Sequence, residues 1–487
     1  MKKLILIYVL QFFLFSCNND FVEITNKDFP FIILNEILSI SNEGVVISAS
    51  LYNDNEVPFF EYGLVSASEH EPTISDSRIV FYNDPGKEFQ VSINNDLIKG
   101  EIYYVRAFIR TSNKLIYSNT LSFESQGCLP PDISSISDIS ATSGNRITII
   151  GNNFSSVISH LEVCFDDLKS TIIKASIDTL VVFCPNTSTD KSVKIKVTVA
   201  SQTTEASQDF KLLNPWKQID SLPANPYNLN GHLTHNSKGY LISEAIISDS
   251  DEEQKKLWEF DMNSYEWDMI SNIPFSTGIE SIGFSKGNDL FCGLGSYQRD
   301  LWQFNLNSKT WFQKSSYPGL LHYLSYPVFQ INNSVYLYSY QDGFHEFWKY
   351  LIESDTWVQL PTPTELNNRE FICGYLYNNT GYLLEMDIGI YKFAFNIWKF
   401  NDATNSFTIN HSVLVNSGIE TGSFIINDNL YIPTKAGNLI QYSLTDGLLF
   451  YLDDPTDMYE FSFVFQNENK AVVGKAFTSD VYEFYPR

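Results

Sequence analysis

Residues Leu257–Pro274, LWEFDMNSYEWDMISNIP, hold a motif that returns along the rest of the chain. Each copy has an aromatic strand, a polar turn and a second strand that begins with a large apolar residue. Related copies begin at Leu301, Phe347, Ile397, Leu439 and Val481. In five copies the second apolar anchor follows the first by seven residues: Phe260 and Trp267, Phe304 and Trp311, Tyr350 and Trp357, Phe400 and Phe407, and Tyr442 and Leu449.

The copies are 42 to 50 residues apart, which is typical of repeat architectures, and all-β units of this length indicate propeller blades. The last copy, at Val481–Phe484, ends before a second anchor. Trp216–Pro223, WKQIDSLP, has the pattern of a second-anchor strand, but no first-anchor strand precedes it. We therefore predict six blades over residues 214–487, with Trp216 completing the last blade and leaving no open sheet edge.

The spacing resembles the Kelch repeat, which has a Gly-Gly doublet, an aromatic-Asp pair and then a Trp. Phe260-Asp261 followed by Trp267 fits this pattern, and Gly293-Leu294-Gly295 is the nearest match to the doublet. The other blades lack the doublet. The resemblance covers residues 214–487 and implies a degenerate Kelch-like β-propeller, without indicating a particular Kelch subfamily.

The N-terminus, MKKLILIYVLQFFLFSC, has a basic start at Lys2 and Lys3 and an apolar run too short to span a bilayer. Its end, Leu14-Phe15-Ser16-Cys17, resembles the lipobox of bacterial lipoproteins. The resemblance implies a signal peptide over 1–17, lipidation of Cys17 and a tether over 18–29. The alternative is a buried helix with an ordinary cysteine. The acidic residues soon after Cys17 are typical of Bacteroidetes lipoproteins exported to the cell surface, which implies a lipid-anchored location at the outer membrane or cell surface.

The chain is acidic, with a formal net charge of −25 and a pI near 4.6. Nucleic-acid binding needs clusters of Lys and Arg, so this composition argues against nucleic acid as a partner. No segment after the N-terminus is apolar enough to cross a membrane, so we expect membrane contact through the lipid anchor only.

Residues 30–125 read as a β-sandwich. In Ile102–Arg110, IYYVRAFIR, Tyr103 and every second residue after it form one apolar face. Leu97 precedes Tyr103 by six residues, which resembles the tyrosine corner of fibronectin type III domains. Arg106 and Arg110 lie on the opposite face, as either a ligand-binding pair or a solvated strand surface.

A second immunoglobulin-like sandwich follows at 129–213, after the proline-containing linker Ser125–Asp132. Ala141–Phe154, ATSGNRITIIGNNF, resembles the IPT/TIG domain. Such domains act mostly as spacers or interaction modules. The predicted fold is therefore all-β, with two Ig-like sandwiches followed by a six-bladed propeller.

No catalytic motif stands out, and we predict neither a cofactor nor a metal site. His232 and His235 have a spacing that suits no known ligand motif, and Ser248–Glu253, SDSDEE, is either a calcium loop or a solvated hairpin tip. Cys164 and Cys184 lie in one predicted domain and are either a disulfide or two free thiols.

Strand parity places the candidate site. In an antiparallel four-stranded blade, the loop between strands 2 and 3 and the connection between blades emerge at the same end. These segments are longer than the turns between strands 3 and 4. Besides the predicted ligand-binding residues, they hold Tyr317, Asp342 and Glu370. The predicted ligand-binding residues are Tyr227, Tyr297, Arg299, His322, Tyr323, His345, Arg369, Tyr391 and Tyr459.

Aromatic planes with a few polar groups suit a sugar, so we predict binding of a glycan or glycoconjugate without turnover. The resemblance to Bacteroidetes surface lipoproteins also implies outer-membrane import or envelope proteins as partners. Two other classes stay open: a sugar mutarotase or epimerase, and a protein-binding adhesin or envelope-complex subunit.

We expect Cys17→Ser to block lipidation, because serine has no thiol to acylate. The variant should leave the outer-membrane fraction or keep its signal peptide, as judged by fractionation and gel mobility. An outer-membrane variant with unchanged mobility would contradict the lipoprotein prediction.

Overall fold

The computed structural model describes residues 29–53, 56–83, 85–223, 229–245, 254–275, 281–321, 326–367, 369–388, 393–453, 461–475 and 477–487. Over these ranges the chain is built of β-strands with two single-turn 3-10 helices, Ile158–His160 and Thr364–Leu366, which confirms the all-β prediction. Neither the length nor the apolarity needed to cross a membrane is found in any helix of these ranges.

Contacts divide the chain into two compact units. The first comprises 1–131 together with 153–161 and 199–202, and the second comprises 132–152, 162–198 and 203–487. Cys17 and the tether lie outside the described residues, so the lipid anchor stays a prediction.

The first unit holds seven strands in two sheets, ordered β1-β2-β5 and β4-β3-β6-β7. They are β1 Phe31–Ser41, β2 Gly44–Tyr52, β3 Phe59–Ala67, β4 Ser77–Phe81, β5 Glu88–Ile93, β6 Ile102–Thr111 and β7 Leu115–Glu124. The alternation predicted for β6 is confirmed, because Tyr103, Val105, Ala107 and Ile109 all lie in the core between the sheets. The Tyr103 hydroxyl accepts a hydrogen bond from the Ile98 amide at 3.0 Å, the type of contact that a tyrosine corner makes.

Eleven short strands follow, in three sheets ordered β13-β14-β10-β8, β12-β11-β16-β17 and β15-β18-β9. They are β8 Asp132–Ile136, β9 Ser140–Thr142, β10 Arg146–Asn152, β11 Leu161–Phe165, β12 Leu168–Lys169, β13 Ile172–Ala175, β14 Thr179–Phe183, β15 Lys191–Val193, β16 Ile195–Val199, β17 Gln202–Glu205 and β18 Phe210–Leu213. We call β8–β18 the second sandwich. Its last strand ends only three residues before the first strand of the repeat region.

The repeat region forms six antiparallel four-stranded sheets. Sheet 1 contains β20 Leu229–His235, β21 Lys238–Ala245, β22 Gln254–Asp261 and β23 Trp267–Asn272; sheet 2 contains β24 Ile282–Lys286, β25 Asp289–Gly293, β26 Leu301–Asn305 and β27 Thr310–Gln313. Sheet 3 contains β28 Val328–Ile331, β29 Ser334–Gln341, β30 Phe344–Leu351 and β31 Thr356–Leu360; sheet 4 contains β32 Phe371–Tyr377, β33 Thr380–Ile388, β34 Phe393–Asn401 and β35 Ser406–Val415. Sheet 5 contains β36 Phe424–Ile426, β37 Asn429–Pro433, β38 Asn438–Ser443 and β39 Leu449–Asp453; sheet 6 contains β40 Phe461–Gln466, β41 Ala471–Lys475 and β42 Asp480–Phe484, with β19 Trp216–Ser221 as its fourth strand.

The two anchors of each repeat are direct cross-strand partners. Phe260 pairs with Trp267, with ring centroids 4.6 Å apart, and the other four repeats pair their anchors in the same register. In sheet 6 the partners come from opposite ends of the region: Trp216 pairs with Phe484 at 4.7 Å. The seven-residue spacing is thus the length of one hairpin.

Apolar clusters lie between consecutive sheets all the way round. Each cluster joins two neighbours, and the cluster between sheets 6 and 1 joins the last sheet to the first. Neighbouring sheets approach closely: a Cβ on Gly239 of sheet 1 would collide with the Phe465 ring of sheet 6, and one on Gly381 of sheet 4 with the Phe329 ring of sheet 3. We call this closed arrangement the six-sheet ring; it has the strand order that the repeats predicted.

Within the second unit, the second sandwich packs on the outer strand of sheet 5. The rings of Phe183 and Phe450 lie 4.9 Å apart, and the Asn186 amide donates to the Tyr451 carbonyl at 3.0 Å. Arg146 Nη2 donates to Asp446 Oδ1 at 2.9 Å and, by favouring the ionised carboxylate, lowers the pKa of Asp446 to about 2. The sandwich therefore covers an edge strand that would otherwise be open to pairing.

We expect Trp216→Ala to lower the free energy of unfolding by about 3–5 kcal/mol, the usual cost of removing a buried tryptophan. Trp216 is 5% exposed and packs between sheets 5 and 6. Ser221→Ala, at the exposed end of the same strand, is the matched control and should change stability by less than about 0.5 kcal/mol. Urea denaturation followed by circular dichroism measures both, and equal midpoints for the two variants would contradict closure through β19.

Candidate functional site

One end of the six-sheet ring carries the candidate site. The loops between the second and third strands of each sheet, and the segments that connect one sheet to the next, all emerge there, and we call it the loop end. The opposite end carries the short hairpin turns. Of the predicted ligand-binding residues, Tyr297, Arg299, His345 and Arg369 are described and lie at the loop end. The others fall outside the described residues: Tyr227, His322, Tyr323, Tyr391 and Tyr459.

Four exposed aromatic side chains occupy the loop end, one in each of four sheets. Tyr297 of sheet 2 is 54% exposed, Phe344 of sheet 3 is 70%, Phe393 of sheet 4 is 39% and Phe477 of sheet 6 is 64%. Sequence reasoning selected Tyr297 and missed the three phenylalanines. Phe344 and Phe393 are the first residues of β30 and β34. Their position directly after a loop was the one feature of the sequence that could have identified them as candidate site residues.

Backbone geometry at these loops is unusual. Tyr297 and Phe477 have positive φ angles of 57° and 60°, and Gly343, just before Phe344, has a φ of 84°. A bulky residue rarely adopts this left-handed conformation, since it costs about 1–3 kcal/mol and persists only where surrounding structure enforces it. The turn end also holds such residues, for example Tyr265 with a φ of 61° and Lys309 with a φ of 55°, so this conformation does not by itself mark the loop end as a site.

The hairpin between β29 and β30 adds polar atoms next to Phe344. Tyr340 and His345 are cross-strand partners whose rings stack at 6.1 Å with an angle of 12°. His345 Nδ1 and Gln341 Oε1 are both buried and find no hydrogen-bond partner among the described residues. Buried polar atoms nearly always have a hydrogen-bond partner in proteins, so two buried atoms without one in the same hairpin are unusual.

Arg299 has a structural role. Its Nη1 atom donates to the carbonyl oxygens of Tyr317 at 2.9 Å and Gly319 at 2.7 Å. Tyr317 is itself fully buried and donates its hydroxyl to Ser339 at 3.0 Å. The guanidinium therefore fixes the segment that leaves sheet 2.

Arg369 belongs to a buried network at the loop end of sheet 4. Its Nη1 atom donates to Glu385 Oε1 at 2.7 Å, and its guanidinium lies 4.5 Å from the centre of the Trp398 ring. Glu385 Oε2 accepts from Asn396 at 3.0 Å and from the Trp398 indole at 2.7 Å. Glu385 is 5% exposed, so the charge pair holds the start of sheet 4 in place.

The remaining candidates also have local partners. Arg110 pairs with Glu61 at 2.8 Å, and the Arg106 guanidinium lies 4.5 Å from the Tyr117 ring centre. Surrounding protein lowers the pKa of His232 to about 4, so its imidazole is neutral at pH 7. His235 bonds to Ser285 at 3.1 Å. The calcium alternative at Ser248–Glu253 lies outside the described residues.

The described cysteines are free thiols, so Cys164 and Cys184 form no disulfide. Burial raises the pKa of Cys184 to about 12 and that of Cys373 to about 11, which keeps both protonated at neutral pH. Within the described ranges, no group of three or more His, Cys, Asp or Glu side chains is arranged to hold a metal ion.

Residues 131–212 match the model of the IPT/TIG domain, which confirms that prediction for the second sandwich. A search of curated proteins finds no match to this chain.

Solved structures that resemble the chain include two auxiliary nutrient binding proteins. The one from Bacteroides thetaiotaomicron VPI-5482 has 12% identity and a TM-score of 0.39, with 73% of this chain and 97% of that chain covered. The one from Bacteroides ovatus ATCC 8483 has 11% identity and a TM-score of 0.41, with 74% and 98% covered. A catalytically inactive virginiamycin B lyase from Staphylococcus aureus has 10% identity and a TM-score of 0.36, with 56% and 99% covered.

We expect Glu385→Ala to lower the free energy of unfolding by about 2–3 kcal/mol, because it removes a buried carboxylate and leaves the Asn396 amide and the Trp398 indole without their acceptor. Glu370→Ala, an exposed carboxylate at the same end, is the control and should cost less than about 0.5 kcal/mol. Urea denaturation compares them. If Glu385→Ala is as stable as Glu370→Ala, the network does not hold the loop end together.

Proposed function

We propose that the six-sheet ring binds a glycan or glycoconjugate at its loop end and returns it chemically unchanged. The supporting observation is the set of four exposed aromatic rings, Tyr297, Phe344, Phe393 and Phe477, gathered at one end of the ring. In this proposal the ring is a degenerate Kelch-like propeller on a lipoprotein held at the outer membrane or cell surface through Cys17.

Aromatic rings suit a saccharide for a physical reason. One face of a pyranose presents C–H groups, which pack on the face of an aromatic ring, while the hydroxyls at its edge form directional hydrogen bonds. Contiguous exposed apolar patches mark binding surfaces, and four exposed aromatic rings at one end of the ring are candidates for such a surface. His345 and Gln341 lie in the same hairpin as Phe344, but their unpaired Nδ1 and Oε1 atoms are buried and take no part in the proposed contact.

Binding fits the described loop end better than catalysis does. Acid–base chemistry needs side chains free to reach the substrate, whereas Arg299 and Arg369 are committed to the protein. The mutarotase or epimerase alternative would depend on His345, whose Nδ1 atom is buried and has no partner among the described residues. Exposed aromatic rings are also enriched at protein interfaces, so the adhesin alternative shares the same surface.

We expect Phe344→Ala to weaken glycan binding by about 1–3 kcal/mol, the range for truncating an important contact residue. Calorimetry against a panel of plant and host polysaccharides measures the affinity. Phe312→Ala is the matched control, because Phe312 is 51% exposed but lies on the outer strand β27, and its affinity should be unchanged.

The same samples separate the alternatives. NMR of the sugar after incubation should show an unchanged ligand and an uncatalysed rate of anomer exchange. Exchange accelerated by the native chain and lost in His345→Ala would favour the enzyme. Equal affinities for Phe344→Ala and the native chain would place the site elsewhere.

A further inference from the structure

Three basic side chains of the loop end already have partners within the protein. Among the described connecting segments, Arg299 bonds to backbone carbonyls and Arg369 to Glu385. Lys435 lies 3.6 Å from Glu420. An anionic ligand would have to displace one of these partners to gain a counter-charge from any of the three.

Two carboxylates of the same end remain exposed. Asp342 lies in the hairpin just before Phe344, and Glu370 lies in the segment that joins sheet 3 to sheet 4. Neither forms an ion pair or a hydrogen bond within the described residues. Carboxylates accept hydrogen bonds from sugar hydroxyls and repel uronate or sulfate groups.

The aromatic rings also define a length. Tyr297, Phe344 and Phe393 belong to sheets 2, 3 and 4, which are consecutive in the ring. Packed sheets lie about 10 Å apart, so three successive sheets place these side chains across about 20 Å. That distance is several times the length of one pyranose ring, so a single sugar cannot reach all three.

We infer that the ligand is an uncharged, extended saccharide that lies along the arc from Tyr297 through Phe344 to Phe393. The inference rests on the proposed function and adds two properties to it: the ligand has no net charge at the contact, and its affinity depends on chain length. Tyr297 and Phe393 bind the two ends, and Phe344 binds the middle.

Chain length is tested by calorimetry with the full chain. The probes are cello-, xylo-, manno- and laminari-oligosaccharides from one to eight units. For the series that binds, we expect no measurable heat with the monosaccharide and an affinity that rises at least about tenfold from the dimer to the hexamer. Phe393→Ala should weaken the hexamer about tenfold and leave the dimer nearly unchanged, with Phe312→Ala as the control.

Charge is tested with oligogalacturonides as anions and chitosan oligosaccharides as cations. Neutral oligosaccharides should bind with affinities that change less than about twofold between 50 and 500 mM NaCl, because no ion pair is screened. Preferred binding of either charged series with a steep salt dependence overturns the uncharged ligand. A monosaccharide that binds as tightly as the hexamer overturns the extended one. Both results leave the glycan-binding proposal standing, whereas that proposal itself fails if no saccharide of any series binds or if Phe344→Ala has no effect.

Discussion

The pairing of Trp216 with Phe484 is the contact on which the rest of the repeat region depends. Five sheets are built from continuous segments, but the sixth needs one strand from each end of the region. Without β19, β42 would become the outer edge strand of a three-stranded sheet 6, and the apolar cluster between sheets 5 and 6 would lose its indole. Because a four-stranded sheet buries its two faces only against neighbours, closing the last sheet stabilises all six.

The two ends of the closed ring differ in how their connections are built. At the turn end, hairpins of a few residues join anchors that pair directly, which leaves little freedom. At the loop end, the segments that join one sheet to the next are longer, and their bases are fixed by buried polar contacts, such as the carbonyl oxygens bound by Arg299 and the carboxylate of Glu385. Side chains beyond those bases are then presented to solvent from a fixed platform, as binding loops commonly are.

The candidate residues show the limit of what could be predicted from the sequence. Strand parity placed Tyr297, Arg299, His345 and Arg369 at one end, and the described strands put them there. Strand parity could not distinguish a side chain that faces solvent from one that bonds to other residues of the protein. Tyr297 is exposed while Tyr317, twenty residues later in the same kind of segment, is fully buried. Phe344, Phe393 and Phe477 went unnoticed because a phenylalanine in a sequence is more often a core residue.

The sequence by itself determined the repeat, the pairing of its anchors, the need for Trp216 to complete the last sheet and the IPT/TIG character of the second sandwich. These features are local: a spacing of seven residues fixes a hairpin, and a hairpin fixes its register. Only the tertiary structure decided which loop side chains are exposed and which arginines are already bound. Those properties depend on side chains far apart in the chain, such as Arg299 and Gly319 or Glu385 and Trp398, and no local pattern encodes how such residues meet.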